Sequence, residues 1–270
     1  MLIRIQKLSN YGTSSPAVAR TSVQGCVILG FFAITEAQRE EAKIVLHELQ
    51  RQLVRCVEIR DQIAETVDSA HKELKTKGFN FQSNGRAVTL PSVIDLQSKA
   101  ESFLQSAKLA IRETAHLVKP FYGEKLDHKF QKFAAWAEGQ FGPNDTFTQV
   151  VKGWEPWVKR VVIMRNAVDH PEDKPIGKLI TENFRFFGTN DAPVLIDPIW
   201  CLSGEPESPI LAAMDGIIAG IIELGEEILA GLFYKLKHNL PLMIYEIAVE
   251  ERDPSCPIRL RVGFEETPNA

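Results

Sequence analysis

From Thr35 onward the apolar positions Ile44, Leu46, Leu49, Leu53, Val57, Ile63 and Val67 recur at near-helical spacing until Gly78. Thr35-Glu36-Ala37-Gln38 has the form of a capping box, in which the first and fourth side chains satisfy each other's backbone N–H groups. One very long helix is expected here. Before it, Leu2-Ile3-Arg4-Ile5 and the run Cys26 to Ile34 read as two β-like pieces separated by the loop around Tyr11-Gly12-Thr13-Ser14-Ser15-Pro16, so residues 1–34 are expected to be an N-terminal extended segment. The run Val27 to Ile34 is too short to span a bilayer and is read as a buried strand.

After a polar loop from Phe79 to Leu90, Ser92 is the expected cap of a second helix through Phe103, Leu104, Ala107, Ile111 and Leu117 to Pro120. Asp127 to Phe141 reads as a third helix. A fourth starts near Thr146, meets a kink candidate at Pro156 and runs through Val158, Val161, Val162 and Met164 until Pro171 closes it. Beyond residue 176 the pattern becomes extended, at Leu179 to Phe187 and Val194 to Leu202, with a turn at Thr189 to Pro193. The stretch Ser208 to Lys237 is the most apolar helix, yet it carries Asp215, Glu223, Glu226 and Glu227, which suits a core helix and not a membrane span. Its Gly216, Gly220, Gly225 and Gly231 leave room for close approach of another element. Leu242 to Val249 and Ile258 to Phe264 then alternate around Glu251-Arg252-Asp253-Pro254-Ser255, the signal of a hairpin. The expected fold is mainly α, a helical bundle with a small antiparallel β-sheet (α+β). Its expected divisions are 1–34, then 35–175 as the bundle, then 176–270 with inserted strands, the last core helix and the C-terminal hairpin.

The fourth helix ends in Arg165-Asn166-Ala167-Val168-Asp169-His170. A guanidinium presents a planar fork of donors that fits a phosphate, and an imidazole is the side chain whose unperturbed pKa suits proton transfer near neutral pH. This arrangement resembles the R-N-xxx-H signature of the HEPN family, all-helical proteins many of which cut RNA without a metal. The resemblance covers the helices from about 35 to 238. The extended stretch 176–205 departs from it, because family members are commonly compact bundles of four or five helices. What the resemblance implies is an endoribonuclease of the toxin or defence kind, needing no cofactor or metal, held as a homodimer and able to meet an antitoxin or other protein partner. His170 would act as general acid or base, Arg165 would stabilise the phosphoryl oxygens, and Asn166 would position the substrate. Residues 165 and 170 do not share one helix face, so they meet only if the helix loosens before Pro171 or if two subunits pool their motifs.

Charge adds a local detail. With a net charge of −4 over 270 residues, the protein is not one coated by nucleic acid over its whole surface. Lys152, Lys159, Arg160 and Arg165 nevertheless meet only Glu155, and residues 1–35 contain Arg4, Lys7 and Arg20 with no acid, so small basic patches for an RNA strand are expected. Lys152, Lys159 and Arg160 are the candidate RNA-binding residues, and a solvated helix face is the bland reading of the same charges. Cys26, Cys56, Cys201 and Cys256 show no CxxC pair and read as buried thiols of a cytoplasmic protein that crosses no membrane. His47, His71, His116, His128 and His238 have no partner at a telling spacing. Trp136, Trp154, Trp157 and Trp200 suit either base stacking or core packing. No Gly-rich phosphate loop or G-x-S-x-G elbow is present. The alternative to a nuclease is a non-catalytic helical scaffold or protein-interaction domain. In it Arg165 caps a helix end, His170 binds a carbonyl, and the face bearing Gly220 forms an interface.

Overall fold

The computed structural model describes residues 9–82, 87–169, 177–189, 192–237 and 240–264. The N-terminal part is helical, which corrects the expected extended segment. α1 (Pro16–Val18) leads through a π-helical stretch, Ala19–Val23, into α2 (Gln24–Leu29). Burial explains why the strand reading fails: Ile28, Leu29 and Phe32 are fully buried while Val27 is exposed, a helical period that a short apolar run does not reveal by itself. The other expected strand, Leu2 to Ile5, lies outside the described residues.

The capping box at Thr35 is present. Its N–H donates to Gln38 Oε1 at 3.0 Å, and the Gln38 N–H donates to Thr35 Oγ1 at 3.3 Å. It opens α3 (Glu36–Lys77), which Gly78 terminates in the left-handed region at φ 69°, its N–H bonded to Leu74 O at 2.8 Å. The loop expected at 79–90 contains a short antiparallel pair, β1 (Asn80–Gln82) with β2 (Ala87–Thr89).

Ser92 does not cap the next helix. Its Oγ accepts from Asn183 Nδ2 at 3.0 Å, while the same Asn183 amide bonds both the N–H and the carbonyl of Val93 at 2.9 Å. α4 (Leu96–His116) therefore starts later, after Asp95 at φ 58°. α5 (Lys119–Tyr122) and α6 (Phe130–Phe141) follow. Asp145 Oδ1 accepts the Phe147 N–H at 3.0 Å and so caps α7 (Thr146–Asp169), which continues through Pro156.

The inserted extended region forms two antiparallel assemblies. β3 (Leu179–Glu182) pairs with β6 (Ile199–Leu202), which also pairs with β7 (Ser208–Pro209), while β4 (Arg185–Thr189) pairs with β5 (Ala192–Ile196). α8 (Ile210–Leu236) is the apolar core helix, and β8 (Leu242–Glu246) and β9 (Leu260–Phe264) make the C-terminal hairpin. The fold is α+β and mainly helical.

Two compact units are distinguished, each discontinuous along the chain. The first takes the described residues of Met1–Val54, Lys108–Lys159 and Ala219–Ala270, and the second those of Arg55–Ala107 and Arg160–Ile218. All four boundaries fall inside helices, namely α3, α4, α7 and α8.

In the first unit Phe32, Phe133, Phe147 and Phe233 build the core with Leu46, Leu49 and Leu229. The glycines of α8 allow this packing. A Cβ at Gly231 would overlap the Phe147 ring, one at Gly220 would overlap Trp157, and one at Gly225 would press on Leu49 at 3.3 Å. The Gly220 position is thus covered by Trp157 of the same unit. Buried Glu226 accepts from Arg20 Nε at 2.8 Å and from Gln24 Nε2 at 2.9 Å, and lies 3.4 Å from the Arg259 guanidinium. Gln24 Oε1 in turn accepts the N–H groups of Arg259 and Leu260 at 2.7 Å each, tying α2 to the start of β9.

In the second unit Trp200 is fully buried and stacks edge-on against Phe103 with centroids 5.9 Å apart. Phe186 of β4 packs edge-on against Phe79 and Phe81. Arg60 grips Asp215 with two hydrogen bonds, of 2.8 and 2.9 Å.

Candidate functional site

α7 places Arg165 in its last turn. The side chain is 15% exposed, and its Nη1 is buried. Nε donates to Gln105 Oε1 on α4. Nη1 stands 2.5 Å from Oδ2 of Asp169, one turn further along α7, and Asp169 itself is 45% exposed. This contact is close yet misaligned, because among the described residues Nη1 has no acceptor in proper hydrogen-bond geometry. Asn166 is half-buried beside it.

Arg165 and Asp169 line an open groove of about 400 Å³ with Arg55 of α3 and Glu101, Ser102, Gln105 and Ser106 of α4. Arg55 is loosely paired, its Nη1 lying 3.7 Å from Glu58. Two guanidiniums, two hydroxyls and an amide in one groove form a donor set suited to an oxyanion, with Asp169 and Glu101 as the competing negative charges.

His170 lies outside the described residues, so Arg165 and Asn166 are the members of the motif that have a place here. Arg160 is turned by about 140° around α7 from Arg165. It pairs with Glu205 through both terminal nitrogens. Lys152 belongs to the other unit and pairs with Glu138 at 2.6 Å, and Lys159 in that unit is exposed. Arg20, counted above in an acid-free stretch, is consumed by Glu226. The sequence shows neither Glu138, Glu205 nor Glu226 as a neighbour of these cations, since each lies at least 14 residues away along the chain.

The tryptophans have roles within the fold. Trp154 Nε1 donates to Glu227 at 2.6 Å and its ring meets Trp157 edge-on at 5.3 Å. Among the histidines, His71 Nε2 contacts Asp197 at 2.6 Å and His116 Nδ1 contacts Glu113 at 3.1 Å. Burial pushes the His128 pKa below its ordinary value, helped by the positive charge of Lys108, Lys129 and Arg112 and opposed by Asp127. Of the cysteines, Cys56 alone is fully buried, and burial pushes its thiol far up; Cys26, Cys201 and Cys256 are partly accessible, which corrects the expectation of four buried thiols. No group of three His, Cys, Asp or Glu among the described residues is placed to hold a metal ion, and no described helix is long and apolar enough to cross a membrane.

Protein-family models, curated proteins and solved structures all fail to match the chain. The site therefore stands on its own geometry. Gln105, Arg55, Ser102 and Ser106 were absent from the sequence reading. Only Asp169 carried a visible signal, as an acid four residues after an arginine on one helix face.

Proposed function

We propose that this protein is a metal-independent endoribonuclease centred on Arg165 and His170, of the toxin or defence kind, working as a homodimer whose motifs cooperate. The observation that supports this most is the Arg165 guanidinium, held by a neutral amide on the wall of an open, donor-rich groove with an unaligned Nη1 donor. His170 follows Asp169 directly in the chain, and Asp169 touches that guanidinium.

In this mechanism His170 removes the proton of an RNA 2′-hydroxyl, and the oxygen attacks the adjacent phosphorus. The 5′-oxygen leaves with a proton, giving a 5′-hydroxyl and a 2′,3′-cyclic phosphate. Proton transfer by a positioned side chain contributes about 10²–10⁴-fold. Arg165 offsets charge growing on the phosphoryl oxygens, and removing one such donor costs about 10²–10³-fold. Asn166 fixes the position of the strand.

The test is cleavage of single-stranded RNA by the full chain in EDTA, with the product ends identified. Cyclic phosphate ends, lost in both Arg165→Ala and His170→Ala while the melting temperature holds, are the expected result. No cleavage, or cleavage untouched by either substitution, overturns the proposal. The second reading, a non-catalytic scaffold, is favoured by the carboxylate partners of Lys152, Arg160 and Arg165 and by Phe187 and Val194, directly opposite each other on the β4–β5 hairpin and 67% and 52% exposed. It predicts no turnover.

A further inference from the structure

Asp169 sits where an anion should be. Its carboxylate stands 2.5 Å from Arg165 Nη1 and neutralises the guanidinium, and yet among the described residues that buried donor has no aligned acceptor. A partner that supplies charge without a good hydrogen bond is one that a better acceptor can replace. Phosphate oxygens are such acceptors, since they take N–H donors from a guanidinium in line and in pairs. On the other edge of Arg165 the chain places Gln105, an amide that fixes the orientation of the fork through Nε without adding a second negative charge. Asp169 is 45% exposed, and Gln105 holds the Arg165 fork through a separate nitrogen, so the fork keeps its orientation whichever acceptor faces Nη1.

We propose that Asp169 is a stand-in for substrate phosphate: it closes the Arg165 fork when no RNA is bound and is exchanged for a phosphodiester on binding, with Gln105 as the positioning residue that holds the fork through the exchange. The inference rests on the reading of this groove as an RNA site. It makes the site self-neutralised at rest, so that an isolated small anion gains little and a strand offering several phosphates displaces the carboxylate.

The experiment measures binding of a ten-nucleotide 2′-O-methyl oligouridylate, which lacks the attacking hydroxyl and so stays intact, in EDTA at several salt concentrations. Wild type is compared with Asp169→Asn, Asp169→Ser and Gln105→Glu, with melting temperatures as the control for folding. Asp169→Asn and Asp169→Ser should bind about 3- to 30-fold tighter. Their affinity should also fall more steeply with salt, by up to about 0.7 in the log–log slope. Freeing one phosphate-binding cation from an internal counterion adds one released salt ion. Gln105→Glu should weaken binding by about tenfold, because it adds a carboxylate to the same guanidinium. Unchanged or weaker binding in both folded Asp169 variants overturns the exchange, while wild-type binding keeps the RNA reading intact. Absence of oligouridylate binding in wild type and variants alike removes the RNA reading itself.

Discussion

Glu226 shows how much one residue can carry. A carboxylate this deeply buried is tolerable only because two guanidiniums and an amide surround it, and removing one partner of such a set leaves an uncompensated charge. Glu226→Ala strands Arg20 and Arg259 and should destabilise the protein by about 3–5 kcal/mol in urea unfolding at neutral pH. Replacing the whole set with apolar residues should cost far less. Sequence reading placed Glu226 correctly as a charge inside an apolar helix but could not name its partners, because Arg20 lies 206 residues away in the chain. The same blindness hid Gln105 from Arg165, two residues 60 positions apart that share one hydrogen bond. Pairings within a turn, such as Arg165 with Asp169, were open to inspection, since helix geometry alone brings i and i+4 together.

At the level of elements, α8 offers an internal comparison. Gly216 has open space around the position of a Cβ, so Gly216→Ala should stabilise by up to about 1 kcal/mol through helix propensity and lost freedom in the unfolded chain. Gly231 faces the buried ring of Phe147, so Gly231→Ala must displace it and should destabilise by about 1–3 kcal/mol in spite of the same gain in propensity. Equal thermal shifts for the two variants would show that packing of α8 is not what selects its glycines. Elements with strong local signals were legible: the box at Thr35, the stop at Gly78, and the strands flanking Asp253-Pro254 all form where their residues ask for them. α2 was missed because its apolar stretch is shorter than two helical repeats, where period cannot separate strand from helix. The start of α4 was misplaced because Asn183, from the distant β3–β4 corner, occupies Ser92. The candidate site was partly legible: its arginine could be named, whereas its groove depends on α3 and α4, which contribute no motif of their own.

For the whole molecule, the absence of any linker at the unit boundaries matters more than the size of either unit. A fragment holding only the stretches of the second unit would sever α3, α4, α7 and α8 within their lengths and expose core positions of each. Such a fragment should lack a cooperative thermal transition that the full chain displays, as calorimetry would record. Long-range tethers also dominate the first unit. Phe32 bridges to Lys237, Arg20 reaches Glu226, and Gln24 holds Leu260. These bonds join the opening helices to residues made more than two hundred codons later. At a synthesis rate of about 5–20 residues per second, the ribosome needs roughly 10–50 s to deliver residue 260 after residue 24 has emerged. During that interval Arg20 and Gln24 have no native partner, so the nascent protein keeps an unfinished seam that chaperones can hold and that closes only when its late strand arrives.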